Sequence, residues 1–208
     1  DGMLAVVSDS LRDKLYTLTI DPAANPPVAV AGSYELAVDS SPRAAAFVSD
    51  DVLVVPLAGF EVDELLVLGR SGDSIVDVGA TPVSAGGVFP GQVKFVSEKG
   101  VLLCSTLDAF LDPANAALSS FLVGGVNVSN PLNVNVTISG LMAFDVGPHG
   151  DFAYAIHNND DQLRSVLVAD SAMADIGVSS DTLSSTQPRT IAVSPSGKFL
   201  YVGLVGGD

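Results

Sequence analysis

Short apolar runs separated by polar turns dominate the pattern along the chain. The clearest copy is near the C-terminus, where the run Thr190 to Val193 is followed by a turn, Ser194 to Gly197, and a second run, Phe199 to Val202. Alternation of apolar and polar residues predicts strands with one buried face, and the Pro and Gly of the turn predict a hairpin bend. No segment has a convincing 3.6-residue period, so the sequence predicts little helix.

The same strand–turn–strand unit occurs three more times upstream, beginning at Pro42, Pro90 and Gly140. The valines that anchor the four copies are 48, 50 and 47 residues apart: Val48, Val96, Val146 and Val193. After each unit come an acidic loop, a third apolar strand and a weaker fourth. Four short strands per repeat of this length is the pattern of a propeller blade. The sequence therefore predicts an all-β fold, a β-propeller built of four-stranded antiparallel blades.

We interpret the chain as a single propeller domain, residues 1–208, with about four blades and part of a fifth. The repeats cover about 1–41, 42–89, 90–139, 140–187 and, in part, 188–208. One arrangement is an arc of a larger propeller, for example of seven blades. The other is a small ring, closed when Thr190 to Val193 completes the opening blade. An open arc exposes strand edges and apolar blade faces, which favours self-association through those edges.

The segment Ile191 to Val202 resembles the strand–turn–strand signature of the lactonase-like, YVTN-type superfamily of seven-bladed propellers. The upstream copies are degenerate: two lack the turn proline, and Tyr154 alone retains the second-strand tyrosine. The resemblance covers the whole chain as a repeat and implies propeller blades. Because the superfamily includes hydrolases, electron-transfer subunits and surface proteins, the resemblance implies no single activity.

Composition narrows the classes of partner. Of 208 residues, 24 are acidic and nine are Lys or Arg, a net charge of −15. No basic stripe exists to neutralise phosphates, which argues against nucleic acid and anionic membrane surfaces as partners. No apolar stretch approaches the ~18 residues of a membrane span. The single cysteine, Cys104, lies in an apolar run and is predicted to be a buried, inert thiol that cannot form an intramolecular disulfide.

The acidic loops after the second strands are candidate cation sites. Because the strands of a blade run alternately up and down, these loops emerge at the same end of the propeller as the connectors that precede the first strands. That end surrounds the predicted channel mouth. Carboxylate oxygens are the ligands that Ca²⁺ prefers, and the candidates are Asp9, Asp13, Asp160 and Asp161. The loops lack the ligand spacing of an EF-hand. The alternative is that each aspartate caps its own turn. No other cofactor is evident.

Two of the few basic residues occupy matching positions at the predicted mouth, in Pro42-Arg43 and Pro188-Arg189. A guanidinium group there could hold an anionic ligand through two parallel hydrogen bonds, or pair with a loop carboxylate. His157 ends a second strand on the same face, beside Asp160 and Asp161. It is a candidate ligand-binding residue, general base or metal ligand, and the alternative is a solvated or structural histidine.

No nucleophile elbow, P-loop, dinucleotide fingerprint or His-Glu-x-x-His motif is present, so no catalytic constellation is assigned. The main hypothesis is a secreted or surface propeller that acts as a binding or scaffold module for a protein or small molecule at the mouth. The resemblance implies an alternative, a lactonase-like hydrolase with its site at the channel mouth. A third hypothesis is a calcium-binding propeller module. The acidic surface favours an extracellular or periplasmic location, and the start at Asp1-Gly2 suggests a processed protein or a fragment.

Overall fold

The computed structural model describes residues 3–59, 62–106, 116–129, 136–138, 141–157, 162–170, 172–178 and 187–205. This part of the chain contains nineteen strands and no helix, which confirms the predicted all-β fold. It follows that the described residues contain no helical segment able to cross a membrane.

The strands form five antiparallel sheets in chain order, one for each predicted blade. Blade 1 consists of β1 (Met3–Asp9), β2 (Lys14–Ile20) and β3 (Val28–Glu35). Blade 2 consists of β4 (Ala46–Ser49), β5 (Val52–Gly59), β6 (Val62–Ser71), β7 (Ser74–Asp77) and β8 (Val83–Ser84). Blade 3 consists of β9 (Pro90–Val96), β10 (Val101–Thr106), β11 (Ala117–Gly124), β12 (Asn127–Val128) and β13 (Val136–Thr137).

Blade 4 consists of β14 (Leu141–Val146), β15 (Phe152–His157), β16 (Gln162–Ala169) and β17 (Ala172–Val178), and blade 5 of β18 (Gln187–Val193) and β19 (Leu200–Val205). Within each sheet, successive strands pair antiparallel, except that β8 pairs with β6 and β13 pairs with β11. Among the described strands, β18 pairs with β19 alone and β1 with β2 alone. The pairing that would close a small ring is therefore not formed.

The hydrophobic core is divided into clusters that lie between successive blades. One cluster joins Leu15 of blade 1 to Leu53, Val55 and Leu68 of blade 2. Similar clusters join blade 2 to blade 3 and blade 3 to blade 4. Every residue of β5 and β10 is buried, because both faces of these strands are covered by neighbouring blades. Full burial of each such aliphatic side chain stabilises the fold by about 1.5–3 kcal/mol.

The direction in which side chains point corrects one detail of the predicted repeat. Val48 and Val96 are buried against the following blade, whereas Val146 packs against the preceding blade. The structural counterpart of Val146 in blade 3 is therefore Phe95, which packs against blade 2. The sequence match was wrong by one residue because apolar side chains occupy both faces of these strands, so alternation alone does not define the register.

The first strand of each blade from 2 to 5 lies at the edge of its sheet, and side chains from neighbouring blades supply acceptors for its edge amides. The side-chain oxygen of Gln92 accepts a hydrogen bond from the Phe144 amide at 3.1 Å. The carboxylate of Asp145 accepts hydrogen bonds from the Val193 amide at 2.7 Å and from its neighbour Val146 at 2.8 Å. Lys94 forms an ion pair with the same carboxylate at 2.5 Å. Asp145 therefore connects blades 3, 4 and 5.

Replacing Asp145 by Ala should lower the free energy of unfolding by about 2 kcal/mol, because the partly buried amides of Val193 and Val146 lose their acceptor. Asp145→Asn should cost less, since the amide oxygen remains an acceptor. Asp73→Ala, in an exposed hairpin, is the matched control. Urea unfolding followed by circular dichroism measures the difference, and equal effects at the two positions would show that Asp145 does not connect the blades.

Candidate functional site

One end of every blade from 2 to 5 is defined by the start of its first strand and the end of its second strand. The residues that pair there are Pro42 with Leu57, Pro90 with Thr106, Leu141 with His157, and Pro188 with Leu204. We call this end the mouth end. Arg43, His157 and Arg189, the three candidate binding residues, all lie within one residue of these pairs.

A bulge recurs in the first strand at the mouth end. In blade 4 the register skips Met142, and in blade 5 it skips Arg189. In blade 3 the register between β9 and β10 also shifts at the mouth end, between Cys104 and Thr106. Bulges commonly redirect a side chain at the edge of a sheet, next to a functional site. The repeat thus places Arg189 at a position where the backbone departs from regular pairing.

Arg43 occupies the corresponding position of blade 2. It follows Pro42 as Arg189 follows Pro188, and its amide donates to the Pro56 carbonyl at 3.2 Å. Both arginine residues are exposed. Within the described ranges, the Arg43 guanidinium forms no ion pair with a carboxylate, so pairing with a described loop aspartate does not account for it.

His157 lies at the mouth end of β15 but is only 1% exposed. It shares the strand face of Ala153 and Ala155, which are buried in the cluster between blades 3 and 4. Its neighbours in the sheet are Leu141 and Gln162. Burial in this junction contradicts the solvated alternative and favours a structural or positioning role. The predicted neighbours Asp160 and Asp161 lie outside the described residues.

Asp9 caps the turn that follows β1. One carboxylate oxygen accepts hydrogen bonds from the amides of Leu11 and Arg12 at 3.1 and 3.2 Å. The other forms an exposed ion pair with the Arg12 guanidinium at 2.8 Å. The hydrogen bond from Arg12 is the main reason that the pKa of Asp9 lies below its usual value. The favourable interaction is therefore present at neutral pH and is lost as the pH falls through the titration of this carboxyl group.

Asp13 forms a longer-range contact than a turn cap. Its two oxygens accept hydrogen bonds from the amides of Asp39 at 2.9 Å and Ser41 at 2.7 Å, in the connector between blades 1 and 2. Asp63 does the same one blade further on, accepting from the Phe89 amide at 2.7 Å. Asp39, Ser41 and Phe89 all have positive φ values, a conformation that costs free energy for residues other than glycine. The carboxylates stabilise these strained connectors at the mouth end.

The sequence contains a signal for this contact that the repeat analysis missed. Asp13 precedes Ser41 by 28 residues and Asp63 precedes Phe89 by 26, and Ser41 and Phe89 each stand directly before the proline that opens the next blade. An aspartate at similar spacing before that proline indicates a connector contact. Asp9 and Asp13 thus serve as backbone acceptors in this structure. In the part of the chain that the structure describes, no three His, Cys, Asp or Glu residues gather in an arrangement that could hold a metal ion.

Two clefts at the other end of the blades are lined by described residues that do not include Arg43, His157, Arg189, Asp9 or Asp13. One, of about 240 Å³, is lined by Leu4, Phe47, Ser49, Asp50 and Arg70. Another, of about 220 Å³, lies between the hairpin turns of blades 4 and 5 and includes His149 and Tyr154. Cys104 is fully buried and unpaired, and burial raises the pKa of its thiol, which confirms the predicted buried, inert cysteine.

Comparison with solved structures identifies the type of propeller. A protein assigned as a 6-phosphogluconolactonase from Bacteroides fragilis superposes with a TM-score of 0.72 at 12% identity, over 96% of this chain and 60% of that one. The periplasmic gluconolactonase PpgL of Pseudomonas aeruginosa superposes with a TM-score of 0.72 at 16% identity. The superposition covers 96% of this chain and 59% of that one. The fold is that of a lactonase-like β-propeller. This confirms the predicted β-propeller fold.

A second protein assigned as a 6-phosphogluconolactonase, from Bacteroides uniformis, superposes with a TM-score of 0.74 at 13% identity. The superposition covers 97% of this chain and 61% of that one. The chain thus spans about three fifths of the length of the lactonase-like propellers that it matches. No family model matches the sequence. A search of curated proteins likewise finds no significant match.

Replacing Asp13 by Ala should lower the free energy of unfolding by about 1–2 kcal/mol, because two connector amides lose their acceptor. Asp50→Ala, at an exposed position on the opposite end, should have little effect. Millimolar Ca²⁺ should leave the Tm of the native chain unchanged, since backbone amides already occupy the Asp13 carboxylate. A rise in Tm with Ca²⁺ that disappears in Asp13→Ala would instead support the calcium-binding hypothesis.

Proposed function

We propose that this lactonase-like propeller is a hydrolase of sugar-derived lactones, with its site at the mouth end of the blades. The observation that carries the proposal is the repeated position of Arg43 and Arg189, each directly after the proline that opens its mouth-end pair. Both side chains are exposed, in a chain that has only nine Lys and Arg residues. Two guanidinium groups at one end of an otherwise acidic protein create a local preference for anions.

Lactone hydrolysis needs stabilisation of negative charge more than it needs a covalent intermediate. Water adds to the ester carbonyl, negative charge develops on the carbonyl oxygen, and the ring C–O bond then breaks. The proton lost by the water ends on the released hydroxyl group, and the product is a hydroxy acid. A guanidinium group near the carbonyl would stabilise the developing oxyanion, as positioned donors do in other acyl-transfer sites. Arg43 and Arg189 are the candidates for this role.

The substrate class follows from the same groups. Two of the solved propellers with this fold are assigned as 6-phosphogluconolactonases, a name that implies a phosphorylated sugar lactone. Arginine binds phosphate and carboxylate through two parallel hydrogen bonds, which supports an anionic lactone as the substrate here. We therefore propose that one arginine holds the anionic substituent and the other approaches the lactone carbonyl.

His157 is a positioning residue in this proposal. Because it is buried against Leu141, it supports the end of β15 and the adjacent bulge at Met142. The same burial favours a second candidate function, a binding or scaffold module without catalysis. Hydrolysis of a lactone needs an acceptor for the proton that the attacking water loses, and the histidine that the sequence offers at the mouth is not exposed.

A periplasmic or extracellular location is part of the proposal. One of the solved propellers with this fold is a periplasmic gluconolactonase. The net charge of −15 agrees with an exported protein, as does a single cysteine that is fully buried.

Arg43→Ala and Arg189→Ala should each raise the KM or Kd for a phosphorylated gluconolactone by about 10- to 100-fold. This factor corresponds to the loss of one charge-assisted hydrogen-bonding group. Arg43→Lys should recover part of the loss, since it restores the charge but not the planar pair of donors. Arg70→Ala is the matched control, because it removes the same charge at the opposite end. Acid release measures turnover and isothermal calorimetry measures binding.

The outcomes separate the two candidate functions. Turnover that depends on both arginine residues, with Arg70→Ala unaffected, supports the hydrolase. Binding that depends on Arg43 and Arg189 without acid release supports a binding module at the same site. If neither arginine variant differs from Arg70→Ala in binding or turnover, the mouth end is not the site.

A further inference from the structure

The outer part of blade 3 differs in charge from the rest of the chain. Residues 113–144 contain no Asp, Glu, Lys, Arg or His, in a chain whose net charge is −15. This stretch supplies β11, β12 and β13, so the third strand of the blade and the strands outside it are built from uncharged residues. Blade 3 packs against blade 2 on one side and blade 4 on the other, so both of its faces are covered inside the chain.

Blades 1, 2 and 4 carry a carboxylate at the hairpin that joins their third and fourth strands. The residue is Asp21 between β2 and β3, Asp73 between β6 and β7, and Asp170 between β16 and β17, and all three are exposed. The hairpin of blade 3, between β11 and β12, has Asn127 and no carboxylate. Charged side chains at an edge strand oppose pairing with the edge of another sheet, so blade 3 lacks that protection.

Apolar side chains are exposed beside this hairpin. Leu122 of β11 is 40% exposed, and Val126, in the turn, is 39% exposed. An uncharged edge with exposed apolar residues favours association between the edges of two sheets. A bulky hydrophilic group at this edge would give the protection that a charge gives in the other blades.

Asn127 begins the tripeptide Asn127-Val128-Ser129, which is the acceptor sequence for N-linked glycosylation. Asn127 is exposed, whereas the next residue, Val128, is buried. Beyond their chain neighbours, no described atom lies within 4 Å of the position that a Cβ would take at Gly124 or Gly125. The hairpin thus projects into open space, with room for a glycan beside Asn127.

We propose that Asn127 is a site of N-linked glycosylation and that its glycan protects the uncharged outer edge of blade 3. In the reaction, Nδ2 of the Asn127 amide displaces a lipid pyrophosphate from the anomeric carbon of an oligosaccharide. A C–N bond forms, the C–O bond to the pyrophosphate breaks, and the proton lost by the amide is taken up with the leaving group. The lipid-linked oligosaccharide and its transferase come from the exporting cell. The proposal therefore rests on the exported location proposed above and is independent of lactone hydrolysis.

Ser129 fixes the end of this segment in the folded protein. Its hydroxyl oxygen accepts a hydrogen bond from the Leu122 amide at 2.9 Å, and its own amide donates to the Leu122 carbonyl at 2.9 Å. The same hydroxyl belongs to the acceptor sequence, so the glycan is transferred before β12 pairs with β11. The folded hairpin then holds the modified Asn127 on the solvent side.

A second acceptor sequence, Asn135-Val136-Thr137, lies in the same uncharged stretch. Asn135 lies outside the described residues, so the structural argument concerns Asn127. Asn135→Gln is therefore the control that separates a glycan at Asn127 from one at Asn135.

Peptide mass spectrometry of the protein isolated from the cells that produce it tests the site. The peptide that contains Asn127 should carry an oligosaccharide, and an unmodified Asn127 in this material would overturn the proposal. The variants are secreted from a eukaryotic host. Asn127→Gln should lose the glycan of this peptide, whereas Asn135→Gln should keep it. Ser129→Thr should also keep it, because threonine retains the acceptor hydroxyl.

Three forms of the secreted chain, identical at both termini, test the protective role: the glycosylated native chain, Asn127→Gln and Asn127→Asp. Light scattering follows aggregation at equal protein concentration, and circular dichroism checks that each form is folded. Asn127→Gln should aggregate several-fold faster than the native chain, because it has neither a glycan nor a charge at this position. Asn127→Asp should aggregate as slowly as the native chain, because it carries the carboxylate that blades 1, 2 and 4 have there.

Equal aggregation of Asn127→Gln and the glycosylated chain would refute the protective role. Aggregation of Asn127→Asp as fast as that of Asn127→Gln would refute it as well, since a charge at this edge would then give no protection. Neither measurement involves lactone turnover, so a failure here is distinct from a failure of the proposed hydrolase.

Discussion

The structure depends on one physical constraint: each blade is apolar on both faces and cannot bury those faces by itself. A sheet of four short strands has no interior of its own, so its side chains leave water only when a second sheet lies against each side. The three core clusters follow from this, since each is formed where one blade packs against the next. The exposed surfaces of blades 1 and 5 follow from the same constraint where no described neighbour exists.

Polar contacts determine how the blades are connected once the apolar faces meet. The edge amides of a first strand need acceptors, and Gln92 and Asp145 provide them from one blade to the next. At the mouth end Asp13 and Asp63 hold the connectors that lead into blades 2 and 3. The carboxylates of Asp13, Asp63 and Asp145 thus act as acceptors inside the architecture. A carboxylate is well suited to this work because it accepts several hydrogen bonds from different directions.

The candidate site was predictable to the extent that it follows the repeat. A strand that starts at Pro42 and another that starts at Pro188 must begin at the same end of their blades, so the arginine residues that follow share that end. Their exposure and the bulge at Arg189 were not predictable, because both depend on register. The sequence could not decide between a solvated and a structural His157 for a related reason: its face of β15 lies against blade 3, and alternation does not determine which neighbouring blade a face packs against.

The sequence by itself determined the all-β class, the blade repeat, the lactonase-like resemblance and the buried cysteine. These properties follow from local alternation, turn residues and spacing, which act over a few residues at a time. Only the tertiary structure decided which valines are equivalent, what Asp13 and Asp145 contact, and which faces remain exposed. Such contacts join residues that are about 26 to 50 positions apart, and their partners are selected by the packing of one sheet on another.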